Sequence, residues 1–224
     1  MTGSRHIAVV HPAGKLRASA DQINSRIQEI KEKDFEVSNL AMELESFDGV
    51  TAGPVLERTA LLSQALTWRK FSVLWSARGG VGTTEMIPYL ENMLPPIISR
   101  KTLVGFSDIS YLGNYLAFKY PNFRYIHAKN IFSEHLFETK NNEAEILFNL
   151  LKNEVKSSFF EAPFIVRTHD SHDKQSQITG ACFPINLSLL ESFVATQNIH
   201  VSEPVILFVE ECNEYLYRII RKLD

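Results

Sequence analysis

The sequence is poor in cysteine, in glycine and proline, in long apolar runs, and in excess charge of either sign. Its 224 residues include only Cys182 and Cys212. Two such residues fit neither a disulfide scaffold nor a CxxC metal knuckle, and suit reduced thiols in a cytoplasmic protein. Ten glycines and nine prolines exclude collagen-like and low-complexity chains. No stretch approaches the about 18 apolar residues of a membrane helix, and the run Ile7–Val10 is too short for a signal-peptide core. With 23 basic and 26 acidic side chains the net charge is −3, which offers no footprint for a phosphate backbone, so nucleic acid is a poor partner. What remains is a soluble globular chain, 45% hydrophobic, long enough to bury a substantial core.

The first half alternates short β-branched runs with amphipathic segments. Ile7 to Val10 reads as a buried strand ending in the turn His11-Pro12-Ala13-Gly14. Ser19 and Gln22 stand in capping-box spacing ahead of the stripe Ile23, Ile27, Ile30. Phe35 to Val37 is a second strand. Pro54 suits a helix N1 position before Val55, Thr59, Leu62 and Leu66. Phe71 to Trp75 and Lys101 to Phe106 read as strands, each followed by a helix with Met86 and Leu90, or Leu112, Tyr115 and Leu116, facing inward. Tyr125 to His127 closes the series. This rhythm predicts an α/β fold, a Rossmann-like parallel sheet with helices on both faces. After it come a helix over 141–156, strands at Phe164–Arg167, Gln177–Phe183 and Val205–Glu210, and helices from Leu187 and Asn213. The division expected is an N-terminal domain over 1–150 and a smaller α/β domain over 151–224.

Three places could carry chemistry. Ser107 follows a strand and precedes a helix, where a hydroxyl projects from the sheet's carboxyl edge and helix-start amides can stabilise an oxyanion. The same position also suits a plain N-cap serine. Arg78-Gly79-Gly80-Val81-Gly82 can form an anion-binding concavity, or simply a tight strand-to-helix turn; it lacks the spacing of a nucleotide loop. Glu210 ends an apolar strand, and could orient a histidine base or merely sit solvated. The cluster His169-Asp170-Ser171-His172-Asp173 lies in a polar stretch and reads as a solvated loop rather than a metal site.

Four ordered blocks over residues 77–219 resemble the LD-carboxypeptidase family of serine peptidases. They are Ala77-Arg78-Gly79-Gly80-Val81-Gly82, Lys101-Thr102-Leu103-Val104-Gly105-Phe106-Ser107-Asp108-Ile109, Asn186-Leu187-Ser188-Leu189-Leu190, and Leu207 to Ile219. The resemblance implies a Ser-Glu-His triad in that order, with Ser107 as nucleophile, Glu210 as the glutamate and the amides of Gly80 and Asp108 as the oxyanion hole. It implies neither metal nor cofactor. The ligand it implies is a small peptide, a murein tetrapeptide cut at its terminal D-residue during peptidoglycan recycling in the cytoplasm. A peptide-nucleotide, as taken by microcin C immunity peptidases, is the alternative, and a non-catalytic peptide-binding homologue or a homodimer fits the same pattern. The family's histidine lies beyond the glutamate block, whereas this sequence has none after His200, so its second domain is expected to be truncated. Glu210 is expected to face Ser107 across an imidazole-sized gap, with His11 and His127 as the only substitute bases near the sheet's edge. Weak hydrolysis is the corresponding expectation.

Overall fold

The computed structural model describes residues 5–40, 48–134, 136–137, 143–152, 179–197, 204–212 and 214–223. The expected strand Phe164–Arg167 and the cluster His169–Asp173 lie outside them. Five strands build one all-parallel sheet: β1 (Arg5–Val10), β2 (Phe35–Asn39), β3 (Val73–Ser76), β4 (Lys101–Gly105) and β5 (Phe123–His127), in the order β2-β1-β3-β4-β5. This is a doubly wound order whose direction reverses between β1 and β3, so loops diverge there and open a crevice at the strands' carboxyl ends.

Alternation along the strands explains the layers. Ala8, Val10, Leu74 and Leu103 face one side, against α2 (Val55–Thr67), α3 (Thr83–Met93) and α4 (Ile109–Lys119). Ile7, Val9, Val73, Trp75 and Val104 face the other, where Ile30 of α1 (Ala20–Lys31) and Leu147, Phe148 and Leu151 of α5 (Glu143–Leu151) cover them. Both faces of the strands are therefore apolar, as a sheet buried on two sides requires. The capping box at α1 is formed, Ser19 and Gln22 each bonding the other's main-chain N–H.

Two local readings are corrected. Pro54 is the N-cap of α2, not its first helical residue. The third strand begins at Val73, two residues later than Phe71, whose main-chain N–H closes a turn on the Trp68 carbonyl at 3.3 Å while its ring stacks on Trp68 (5.8 Å between centroids). Its carbonyl and that of Trp68 take the ammonium of buried Lys101.

A second, two-stranded parallel pair joins β6 (Ala181–Asn186) to β7 (Val205–Glu210), followed respectively by α6 (Leu187–Thr196) and α7 (Leu216–Leu223). It rests on α4. Asn114 Nδ2 donates to the Pro184 carbonyl at 2.8 Å, and the main-chain N–H of Asn186 donates to Ser110 Oγ at 3.0 Å. Pro184 fits this short pair because its carbonyl, not an N–H, makes the link. The register sets Asn186 beside Glu210, bringing the end of β7 over the turn between β4 and α4.

Candidate active site

Ser107 sits just past the carboxyl end of β4 with φ of +62°. A non-glycine residue in this left-handed region stores strain of order 1–3 kcal/mol and is common at functional turns. The helix cap is Asp108, not Ser107, so the plain N-cap reading of the serine does not hold. Its carbonyl accepts from the Ser110 main chain at 2.9 Å and from Ser110 Oγ at 2.7 Å, which pins the turn and leaves the hydroxyl outside the helix.

The glycine loop approaches from β3. A Cβ on Gly79 would lie 2.9 Å from Ser107 Cβ, 3.1 Å from Ser107 Oγ and 3.2 Å from the Phe106 carbonyl. Only glycine permits this approach. Gly80 has φ of +118° and packs on Gly14, whose main-chain N–H donates to the Gly79 carbonyl at 3.0 Å. The β1, β3 and β4 loops thus converge. Between them and α1 opens a cleft of about 700 Å³ lined by Arg78, Gly79, Gly80 and Ser107, with Arg26, Asn130 and Cys212 further round.

Glu210 arrives from β7. Asn186 Nδ2 donates to its Oε1 at 3.2 Å, and the main-chain N–H of Ser107 also acts on its carboxylate. Burial raises this carboxyl above its ordinary value; the two N–H groups and the neighbouring Glu211 modulate it, and the net direction is upward. Glu210 is thereby brought to the main chain of Ser107. Burial also pushes the Glu211 carboxyl up, but hydrogen bonds from Ser188, Cys212 and Asn186 together with the charge of Lys222 outweigh it and hold the group below its ordinary value.

The histidines at the sheet's edge are committed elsewhere. His11, pushed down to about 4 by burial, bonds Asn39 Oδ1 at 3.2 Å. His127, also lowered by burial, bonds the Tyr125 hydroxyl through Nδ1 at 2.8 Å. Among the described residues no histidine hydrogen-bonds the Ser107 hydroxyl. No group of three or more metal-ligating side chains occurs among them either.

Two supports were not anticipated from the sequence. Arg58 is buried and donates to the carbonyls of Gly53, Pro12 and Gly82 while pairing with Glu85. Its position three residues after Val55, on the inward side of α2, was the available signal. Asp108 ties the two helix starts together: its Oδ2 accepts from the Thr83 main chain at 2.9 Å, and Thr83 Oγ1 donates to its carbonyl at 2.8 Å.

Burial pushes the Asp108 carboxyl up to about 6, against the lowering effect of Thr83 and Arg58. An unfolded aspartate titrates near about 3.9, so between these values the folded state binds more protons. Stability contributed by the protonated form is complete below about pH 4 and is lost as pH rises through about 6, a loss of about 3 kcal/mol at most. Asp108→Asn should therefore gain in melting temperature over the wild type on going from pH 4.5 to pH 7. An offset that does not change with pH would contradict this account.

A doubly wound α/β protein with a cleft built round a strained serine at the sheet's carboxyl edge is the class that this geometry defines. The chain belongs to the LD-carboxypeptidase family, since the model of that family's N-terminal domain matches residues 7–128. It is 28% identical over 221 residues to a carboxypeptidase-named protein of Rickettsia conorii, covering 97% of this chain and 66% of that one. It is 25% identical over 220 residues to the murein tetrapeptide carboxypeptidase of Pseudomonas aeruginosa, covering 97% and 69%. Its fold matches an MccF-like protein from Streptococcus pneumoniae solved in complex with AMP, at a TM-score of 0.69 with 15% identity and 98% and 78% coverage. The chain spans between 50% and 69% of the length of these curated relatives and a second Rickettsia one. No described helix is long and apolar enough to cross a membrane.

Proposed function

We propose that this chain carries the nucleophile and the acidic group of an LD-carboxypeptidase-type hydrolase, acting on the amide that joins a terminal D-amino acid to a murein tetrapeptide. Ser107 Oγ is the nucleophile, and the main-chain N–H groups of Gly80 and Asp108 face the oxyanion. Glu210 is the acidic member that orients a histidine in the Ser, Glu, His order. The reaction belongs to cytoplasmic recycling of wall peptides, with the nucleophile in a first domain ending near residue 150 and the acidic group in a second.

The observation that supports this reading most is the strained turn of Ser107 against Gly79. Strain held at one residue, with a neighbouring loop emptied of side chains to admit it, has no purpose in packing alone. The similarity to the Pseudomonas murein tetrapeptide carboxypeptidase supports this choice of substrate class.

Binding is the direct test. Calorimetric titration of the purified chain with murein tetrapeptide should give saturable binding, lost in Gly79→Val, whose side chain would occupy the serine's space. Absence of binding by the folded wild-type chain overturns the proposal.

A further inference from the structure

An enzyme that removes only the last residue of a peptide has to recognise that residue's free carboxylate. The carboxylate lies about one residue, roughly 4 Å, beyond the scissile carbonyl, so its receptor belongs close to Ser107. Three arginines line the cleft, Arg17, Arg26 and Arg78, and Arg58 lies beneath Gly82.

Their partners separate them. Arg58 is committed to Glu85 and three carbonyls. Arg26 pairs with Glu29 at 3.0 Å and lies 4.9 Å over the ring of Phe137. Arg17 is exposed on the loop before α1. Arg78 is only partly exposed, and its Nη1 donates to the Lys15 carbonyl at 2.8 Å. Among the described residues no carboxylate pairs with it. It also directly precedes Gly79, the residue that abuts the serine hydroxyl. A neutral tether fixes the guanidinium without cancelling its charge, and leaves further donors of the planar fork for an anion.

We infer that Arg78 binds the anionic group carried by the leaving half of the substrate, the free carboxylate of its terminal residue. The inference rests on Ser107 as the nucleophile of the proposed reaction. A guanidinium also takes phosphoryl oxygens in the same bidentate manner, so the leaving phosphoryl group of a peptide-nucleotide is the other source of that chemistry.

The experiment titrates the 224-residue chain with murein tetrapeptide, the same peptide as its C-terminal amide, and AMP, each against wild type, Arg78→Gln and Arg78→Lys. The wild type should prefer the acid to the amide by about 10- to 100-fold, the usual worth of a charged hydrogen bond. That preference should fall to near unity in Arg78→Gln with amide affinity unchanged, and survive in part in Arg78→Lys. Arg78-dependent binding of AMP, with acid and amide equal, supports the same anion site with a phosphoryl ligand as its source. A preference for the acid that persists in Arg78→Gln overturns the inference. So do equal acid and amide affinities without Arg78-dependent AMP binding, and in both cases the cleft reading stands. Failure of every ligand to bind the folded wild type overturns the inference and the proposed function together. Thermal melts of both variants separate lost recognition from lost fold.

Discussion

Arg58→Ala should lower the unfolding free energy by about 3–5 kcal/mol, read from urea denaturation. The effect comes from the carbonyls rather than from the ion pair. Glu85 is half exposed at its side chain, and a pair with one solvated member is worth about 0–1 kcal/mol. The guanidinium, in contrast, is buried and satisfies the carbonyls of Gly53, Pro12 and Gly82 from three different loops. Leaving buried acceptors without a donor costs about 1–3 kcal/mol each. Gly82 itself is shaped by this contact, since a Cβ there would lie 2.9 Å from Arg58 Nη1. The discriminating experiment is a double-mutant cycle with Glu85→Ala. Glu85→Ala alone should cost less than about 1 kcal/mol, and the coupling should be of the same small size. A cost for Arg58→Ala that the coupling accounts for in full would return the effect to the ion pair.

The sheet was legible because its strands are short, apolar on both faces and separated by residues that end helices or turn the chain. Val205–Glu210 shows this most simply: a β-branched run closed by two carboxylates became a strand with those bounds. The serine's neighbourhood was legible through its order of residues, Gly-Phe-Ser-Asp after a strand, with a three-glycine loop upstream. What pattern could not give is the conformation of Ser107. A positive φ on a serine opposes local preference and persists only because Gly79, Ser110 and the Thr83–Asp108 link hold the turn from outside. Arg58 escaped for a related reason. A charge in an amphipathic helix is assigned to the solvent side unless its carbonyl partners, 5 to 46 residues away along the chain, are known. The link between the two sheets runs through Ser110, Asn114 and Asn186, none of which has a periodic signature.

The 224-residue chain should release D-alanine from murein tetrapeptide at least about 10³-fold more slowly than the Pseudomonas relative assayed beside it. A serine hydroxyl needs a base in hydrogen-bond reach to become a nucleophile, and that base contributes about 10²- to 10⁴-fold. Among the described residues His6 bonds Ser38, His11 bonds Asn39 and His127 bonds Tyr125, so none of these three is offered to the Ser107 hydroxyl. On the function proposed above, the strained serine, its glycine loop and the partly buried Glu210 position a peptide and stabilise an imidazolium. Added imidazole should therefore accelerate release by the wild type and leave Ser107→Ala unchanged, whereas Glu210→Gln should weaken the acceleration. The assay follows free D-alanine over a range of imidazole concentrations in the three proteins. Rapid, Ser107-dependent release without imidazole would mean that a histidine of this chain already serves the serine. His127→Ala and His11→Ala would then test the two described histidines that stand at the carboxyl ends of strands on the serine's edge of the sheet.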